Sequence, residues 1–205
     1  MKYLWITILF VMIQYISIDL IAEEDKRYKL TTKKDYLIVW LIGILFLLTS
    51  LFGTDYLPLQ LVGGLSAGIF SCSLYTDARL KELPDFATLL LFVVSFMFLL
   101  IHPTNALWRI LAAAIVAIAV GAMALTIGGI GFGDAKLLIP IVLYLDTLPK
   151  GIGYLTNVTL VAFVYALSLI IRGKSKNAKF AFGPFLIVGL YITMFILPES
   201  ILAFL

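Results

Sequence analysis

Two acidic stretches carry the residue types best suited to chemistry in this chain. The first is Asp134, which follows Gly128-Gly129-Ile130-Gly131-Phe132-Gly133 and precedes Ala135-Lys136-Leu137. The second is Asp77-Ala78-Arg79-Leu80-Lys81-Glu82-Leu83-Pro84-Asp85. Both stand where long apolar runs are interrupted. An ionisable residue at the edge of a membrane span is costly to keep and is by default a functional candidate. Glycines beside it let a second backbone approach closely. Two aspartates that meet can hydrolyse a peptide bond without a metal or a nucleophilic side chain. One carboxylate takes a proton from water while its protonated partner polarises the scissile carbonyl. Like charges a few Å apart resist double ionisation, so such a pair shares one proton and fills both roles.

Each acidic residue also has a plainer reading. The glycines before Asp134 fit a helix-packing seam, with Asp134 solvated at its end or capping the next helix. On residue types alone that reading stands level with catalysis. Asp85 follows Pro84 and opens an apolar run, so it is expected to be the N-cap of the next helix. Glu82 reads as a loop carboxylate. Asp77 has no such duty: it is too early to cap the following helix, and it sits at a helix C-terminus, where negative charge is unfavourable. Function explains it better. Other chemistries have little to work with. Cys72 is the one cysteine and lies in an apolar run, which excludes a disulfide or cysteine cluster within one chain. His102 is the one histidine, so a multi-histidine metal site is not expected. No metal or cofactor site is read, and no nucleic-acid interface, because the basic stretches are short loops without an aromatic platform.

The elements that must position these aspartates are membrane helices. Hydrophobic residues make up 62% of the chain and charged residues 13%, against about 45–50% and about 25% for a soluble domain. Apolar runs fall at 4–22, 36–53, 58–75, 86–102, 106–129, 135–148, 153–171 and 182–203, most of them near the ~20 residues that cross a bilayer. The sixth is short as drawn and either begins before Asp134 or continues past Pro149, with seven spans as the alternative count. Lys26, Arg27, Lys29, Lys33, Lys34, Arg79, Lys81, Lys136, Arg172, Lys174, Lys176 and Lys179 all fall in alternate loops, leaving only Lys2, Arg109 and Lys150 for the other side. By the positive-inside rule this gives eight spans with both termini outside, and puts Asp77, Asp85 and Asp134 at the cytoplasmic face. The first run is longer than the 7–15-residue core of a cleaved signal peptide, and the charge alternation favours its retention. The expected fold is an all-α polytopic membrane protein of about eight transmembrane helices, one domain over 1–205 in the lipid bilayer, with a short cytoplasmic loop at 23–35.

Gly131-Phe132-Gly133-Asp134-Ala135-Lys136-Leu137 resembles the G-x-G-D-x-K-L signature of type IV prepilin leader peptidases, which are membrane aspartyl proteases of the cell membrane. Asp77, seven residues before Pro84, resembles the other half of that signature. Phe182-Gly183-Pro184-Phe185 resembles the family's P-F-G-P segment, with Ala181 in place of the first proline. The resemblance covers roughly residues 60–200. It implies that Asp77 and Asp134 are the catalytic pair, that Gly131 and Gly133 let the substrate backbone reach them, and that Lys136 orients a carboxylate or a substrate carbonyl; snorkelling at the interface is the plainer account of Lys136. Gly183 and Pro184 are expected to shape helix packing. The implied substrate is a prepilin or pilin-like protein with a basic leader, a glycine and an apolar helix, cut after the glycine at the cytoplasmic membrane face. Larger members carry a cysteine-bearing loop after the first span and N-methylate the product with S-adenosylmethionine. Residues 23–35 contain no cysteine, so cleavage without methylation is expected, and an archaeal preflagellin-peptidase-like identity is left open. The first span lacks the usual family motif, which leaves Gln14 and Asp19 without an assigned role.

Three rival readings use the same residues. In a small ion or solute transporter, Asp134 and the glycines would line a cation path, although transporter sites lie near the bilayer midplane. In a non-catalytic membrane assembly factor, the glycines would be packing seams. In an intramembrane protease of the presenilin type, the partner aspartate would follow a tyrosine deep in a span, whereas Thr76 precedes Asp77.

Overall fold

The computed structural model describes residues 2–126, 132–172 and 181–196, and these are helical apart from short connections. The helices are α1 (Lys2–Glu24), α2 (Lys33–Phe52), α3 (Leu57–Leu80), α4 (Asp85–Ile101), α5 (Ala106–Thr126), α6 (Phe132–Val142), α7 (Leu148–Ile171) and α8 (Gly183–Tyr191). A single 3₁₀ turn, Lys26–Tyr28, follows α1, and a π-helical stretch, Ile192–Ile196, continues α8. Each helix coincides with one of the apolar runs. Four of them, α1, α2, α3 and α7, are long and apolar enough to cross a membrane.

Three helices depart from the sequence expectation by several residues: α7 begins at Leu148 instead of 153, and α3 and α6 shift around the two aspartates. Helix α3 does not stop at residue 75 but continues to Leu80, so Asp77 lies inside its last turn. The helix ends on Lys81, held in the left-handed region at φ 59°, whose N–H returns to the Asp77 carbonyl at 2.8 Å. Helix α6 begins at Phe132 and ends at Val142 instead of running from 135 to 148. Its Pro140 brings no N–H to the helix ladder, and the chain turns just beyond, with Tyr144 N–H on Ile141 O and Leu145 N–H on Val142 O, each at 3.0 Å.

Helix α3 is the central element, and its small residues explain why. A Cβ placed at Gly64 would come within 2.6 Å of Ile6 on α1, and one at Gly68 within 2.6 Å of Ile13. Gly63 stands in the same relation to Ser50 on α2 and Phe195 after α8. Without a hydrophobic drive between lipid-facing helices, such close backbone approach and interhelical hydrogen bonds hold a bundle together. Buried polar groups supply the bonds. Gln14 Nε2 donates to Val39 O at 3.1 Å and to Ser71 Oγ at 3.2 Å, joining α1, α2 and α3. Tyr191 Oη donates to Gly63 O at 2.8 Å, and Ser66 Oγ meets Tyr144 Oη at 2.7 Å. Asn157 Nδ2 on α7 donates to Thr193 Oγ1 at 3.0 Å.

At the end of the bundle away from Asp77, a buried arginine fastens α6. Arg109 is fully buried, and its guanidinium donates from Nε to Leu143 O at 2.6 Å and from Nη1 to His102 O at 2.7 Å. Nη2 also reaches Leu143 O, and the guanidinium stands 5.1 Å from the Phe98 ring centroid. Beside it Asn105 Nδ2 donates to Asp146 O at 2.8 Å, and Lys150 pairs with the Asp146 carboxylate at 2.9 Å. The loops after α4 and α6 are thus joined, which sets where α6 stands relative to α4.

Candidate active site

Asp77 and Asp134 reach the same place from different helices. Asp77 sits in the last turn of α3 with 3% of its surface exposed. Asp134 sits in the first turn of α6, partly buried, where the helix dipole favours a negative charge. It is therefore inside the helix and is not its N-cap. Leu83 links the two positions, lying against Gly133, next to Asp134, and against Gly183, which meets Asp77.

The third element at this point is the start of α8. A Cβ built on Gly183 would lie 2.4 Å from Asp77 Oδ2 and 3.3 Å from its Cγ, so the carboxyl rests directly on the glycine backbone. Asp77 Oδ2 is buried and has no hydrogen-bond partner. Leu83, from the loop between α3 and α4, closes the flank. Its Cδ1 would stand 3.1 Å from a Cβ on Gly183, and its Cβ 3.1 Å from a Cβ on Gly133. Gly133 thus lets the first turn of α6 seat against Leu83. Gly131, the other glycine expected to serve substrate, lies outside the described residues, as do Gly128 and Gly129.

Asp85 is not the N-cap of α4. Pro84 holds that position, and Asp85 is the first helical residue. Its side chain makes no cap hydrogen bond to the free amides of its own first turn. The Glu24 carboxylate, at the end of α1, takes them instead: Oε1 accepts from Asp85 N at 2.8 Å and Oε2 from Phe86 N at 3.0 Å. The Asp85 carboxylate is left to receive Lys136 Nζ at 2.7 Å. Lys136 therefore orients a carboxylate, but that of Asp85, and ties the first turn of α6 to α4. Asp85, Phe86, Leu89, Lys136, Ile139 and Glu24 line an open groove of about 660 Å³. On α6, Lys136 and Ile139 lie well around the helix from Asp134, so the groove runs along the other side of α6 from the aspartate pair.

The neighbouring loop is a salt-bridged strap. Arg27 bridges Asp25 at 2.7 Å and Glu82 at 3.0 Å, and Tyr28 Oη donates to Glu82 at 3.4 Å. The Arg27 hydrogen bonds hold Asp25 below the usual carboxylate range, and burial first, then Glu82, pushes the Tyr28 phenol up to about 12. Glu82 is thus a loop carboxylate with a structural partner. Gln14 is a buried packing hub, and Asp19 is exposed. Among the described residues, no three His, Cys, Asp or Glu side chains cluster as metal ligands would.

Residues 64–171, more than half of the chain, match the model of the type IV leader peptidase family. The chain belongs to that family. The matched segment contains Asp77 and Asp134 and stops short of Gly183. No curated protein and no solved structure matches the chain. As a leader peptidase family member with several long apolar helices, it is a leader-peptidase-like protease built as a multi-pass membrane protein. Sequence reasoning had no role for Leu83 and took Gly183 for a packing residue. Nothing local marks either one, because their partners are distant in the chain.

Proposed function

We propose that this leader peptidase is an aspartic endopeptidase that removes the short basic leader of a prepilin or pilin-like protein, with Asp77 and Asp134 as its catalytic pair. The observation that supports the reading is that Asp77, at the end of α3, rests on the Gly183 backbone, while Leu83 lies against both Gly183 and Gly133, the neighbour of Asp134 at the start of α6. In the proposed reaction the ionised carboxylate of the pair takes a proton from water, and the oxygen forms a bond to the scissile carbonyl carbon. The protonated partner hydrogen-bonds the carbonyl oxygen, on which negative charge develops. Breaking the C–N bond sends the proton to the departing amine, and the pair returns to one shared proton. Gly133, and Gly131 ahead of it, leave room for an extended substrate backbone, and Lys136 acts through Asp85 on the seating of α6.

The whole chain 1–205 is read as a single membrane-embedded protease domain with eight spans and both termini outside. The pair then lies at the cytoplasmic face of the cell membrane, with the short loop at 23–35 on the same side. Arg27, Arg79, Lys81 and Lys136 all stand at the pair's end of the helices, which supports that sidedness. The substrate's apolar helix would remain in the bilayer while its basic leader stays in water. Cleavage without N-methylation follows from the short loop, where the cysteine-bearing segment of larger members has no counterpart; Cys72 is buried in α3.

The test is reconstitution of the purified chain in proteoliposomes with a synthetic prepilin-like peptide bearing a basic leader, a glycine and an apolar helix. Mass spectrometry is expected to find a single cut after the glycine and, with S-adenosylmethionine present, an unmodified new N-terminus. An uncut peptide contradicts the substrate assignment, and a methylated product contradicts the cleavage-only assignment.

A further inference from the structure

We propose that Leu83 is the spacer that sets the separation of Asp77 and Asp134: its side chain fills the gap between the first turn of α6 and the first turn of α8. This rests on the aspartate-pair reading above and adds to it a residue that carries no chemistry of its own.

Connecting segments normally run over the surface, yet Leu83, in the connection between α3 and α4, is only 8% exposed. Its side chain meets two glycines. On one side, Leu83 Cβ lies 3.1 Å from the point where Gly133 would carry a Cβ, with Leu83 N and Cδ1 each at 3.6 Å. Gly133 immediately precedes Asp134. On the other side, Leu83 Cδ1 lies 3.1 Å from the corresponding point on Gly183, and Asp77 Oδ2 lies closer still to that same point. The order Gly133, Leu83, Gly183, Asp77 therefore runs from the neighbour of one aspartate to the other. The chain is gripped on both sides of Leu83. Before it, the Lys81 N–H returns to Asp77 O at 2.8 Å, and Glu82 is held by Arg27 at 3.0 Å. After it, Pro84 is buried at the N-cap of α4, and Glu24 takes the amides of Asp85 and Phe86.

Leucine suits the gap because the residues it touches bring no side chains of their own. Gly133 and Gly183 have nothing with which to fill a vacated volume. A smaller residue at 83 therefore leaves a cavity or lets the two helix ends draw together. Either change moves the aspartates relative to one another. A carboxyl pair shares one proton only while its members stand a few Å apart. A displacement of about 1 Å at a reacting group costs about a hundredfold in rate. Leu83 is a positioning residue: it acts on catalysis through the spacing of the aspartates.

The test has one arm that needs no substrate. In the full chain carrying 15N-labelled glycine, Leu83→Ala is expected to move the amide resonances of both Gly133 and Gly183. Those of Gly121 and Gly151, which have open space around them, are expected to stay in place. Movement of neither Gly133 nor Gly183, or of only one, overturns the proposal even if the protein is a protease. The second arm is kinetic and uses the synthetic prepilin-like peptide. Leu83→Ala is expected to lower kcat by about a hundredfold with KM within about twofold. It is also expected to narrow the bell-shaped pH profile of kcat, because the two apparent pKa values that bound it belong to the pair and draw together as its members separate. Leu83→Met conserves volume and apolarity and is expected to keep kcat within about threefold. Unchanged kcat in Leu83→Ala overturns the proposal. So does a lower kcat per folded molecule with a profile of unchanged width, which a merely structural role would give. If Leu83→Ala does not fold, Leu83→Val carries both arms, with a fall in kcat of about tenfold expected. If the unsubstituted chain leaves the peptide uncut, the aspartate-pair reading fails instead, and the resonance arm alone decides whether Leu83 bridges the two glycines.

Discussion

Asp77 and Lys136 show how far single residues could be read. Asp77 was legible because it lacked any structural duty: no helix began near enough for it to cap, and the dipole opposed its charge. Its burial against the Gly183 backbone fits a side chain kept for chemistry. Lys136 was legible as a cation near carboxylates, but not as the partner of Asp85, since the pair joins α4 to α6 across 51 positions of sequence. That pair is half exposed, with side-chain exposures of 36% and 68%, so it is worth less than about 1 kcal/mol of stability. Its value here is in seating the first turn of α6. Lys136→Met and Asp85→Asn are each expected to lower kcat a few-fold with little change in melting temperature. The double variant is expected to be no worse than either single, as for residues that act as a unit. Additive losses would show that Lys136 acts on the substrate independently of Asp85.

At the scale of elements, the eight helices were readable as apolar runs, but their ends at the candidate active site were not. Hydropathy falls at the first charge, so α3 was expected to end at Asp77, while the chain continues helically through Leu80. The cap of α4 was misassigned to Asp85 for a related reason: a local motif cannot reveal Glu24, 61 residues earlier, whose carboxylate takes both free amides. Glu24→Ala is expected to cost about 1 kcal/mol, read as a fall in Tm of about 2–4 °C; an unchanged Tm would remove Glu24 as the cap. The clamp at the far end should matter more. Arg109→Ala strips donors from the carbonyls of Leu143 and His102 and leaves them buried. The expected loss is on the order of 3 kcal/mol, with Arg109→Lys recovering only part of it, because an ammonium cannot reproduce the planar fork. Full recovery by lysine would show that charge alone suffices there.

At the scale of the whole molecule, the fold is a set of helices gathered on the small-residue faces of α3, with the aspartate pair at one end and the Arg109 clamp at the other. The all-helical architecture came through composition, because a membrane leaves the backbone few alternatives to helices. The convergence of α3, α6 and α8 did not, because contacts between distant helices have no signature in a single sequence. Sidedness can be measured with single cysteines and a membrane-impermeant maleimide on intact cells, buried Cys72 being silent to it. Asp55→Cys and Thr104→Cys, both exposed at the far end from the pair, are expected to react from outside, and Lys81→Cys only after the membrane is opened. The reverse pattern would place the pair on the wrong face for a basic leader. The most direct test of the account is the rate at which the purified chain cuts a synthetic prepilin-like peptide, compared with Asp77→Asn and Asp134→Asn at equal folded amounts. Each variant alone is expected to lose at least about a hundredfold in kcat, because neither carboxyl can fill both roles; cleavage that survives either substitution would contradict the pair.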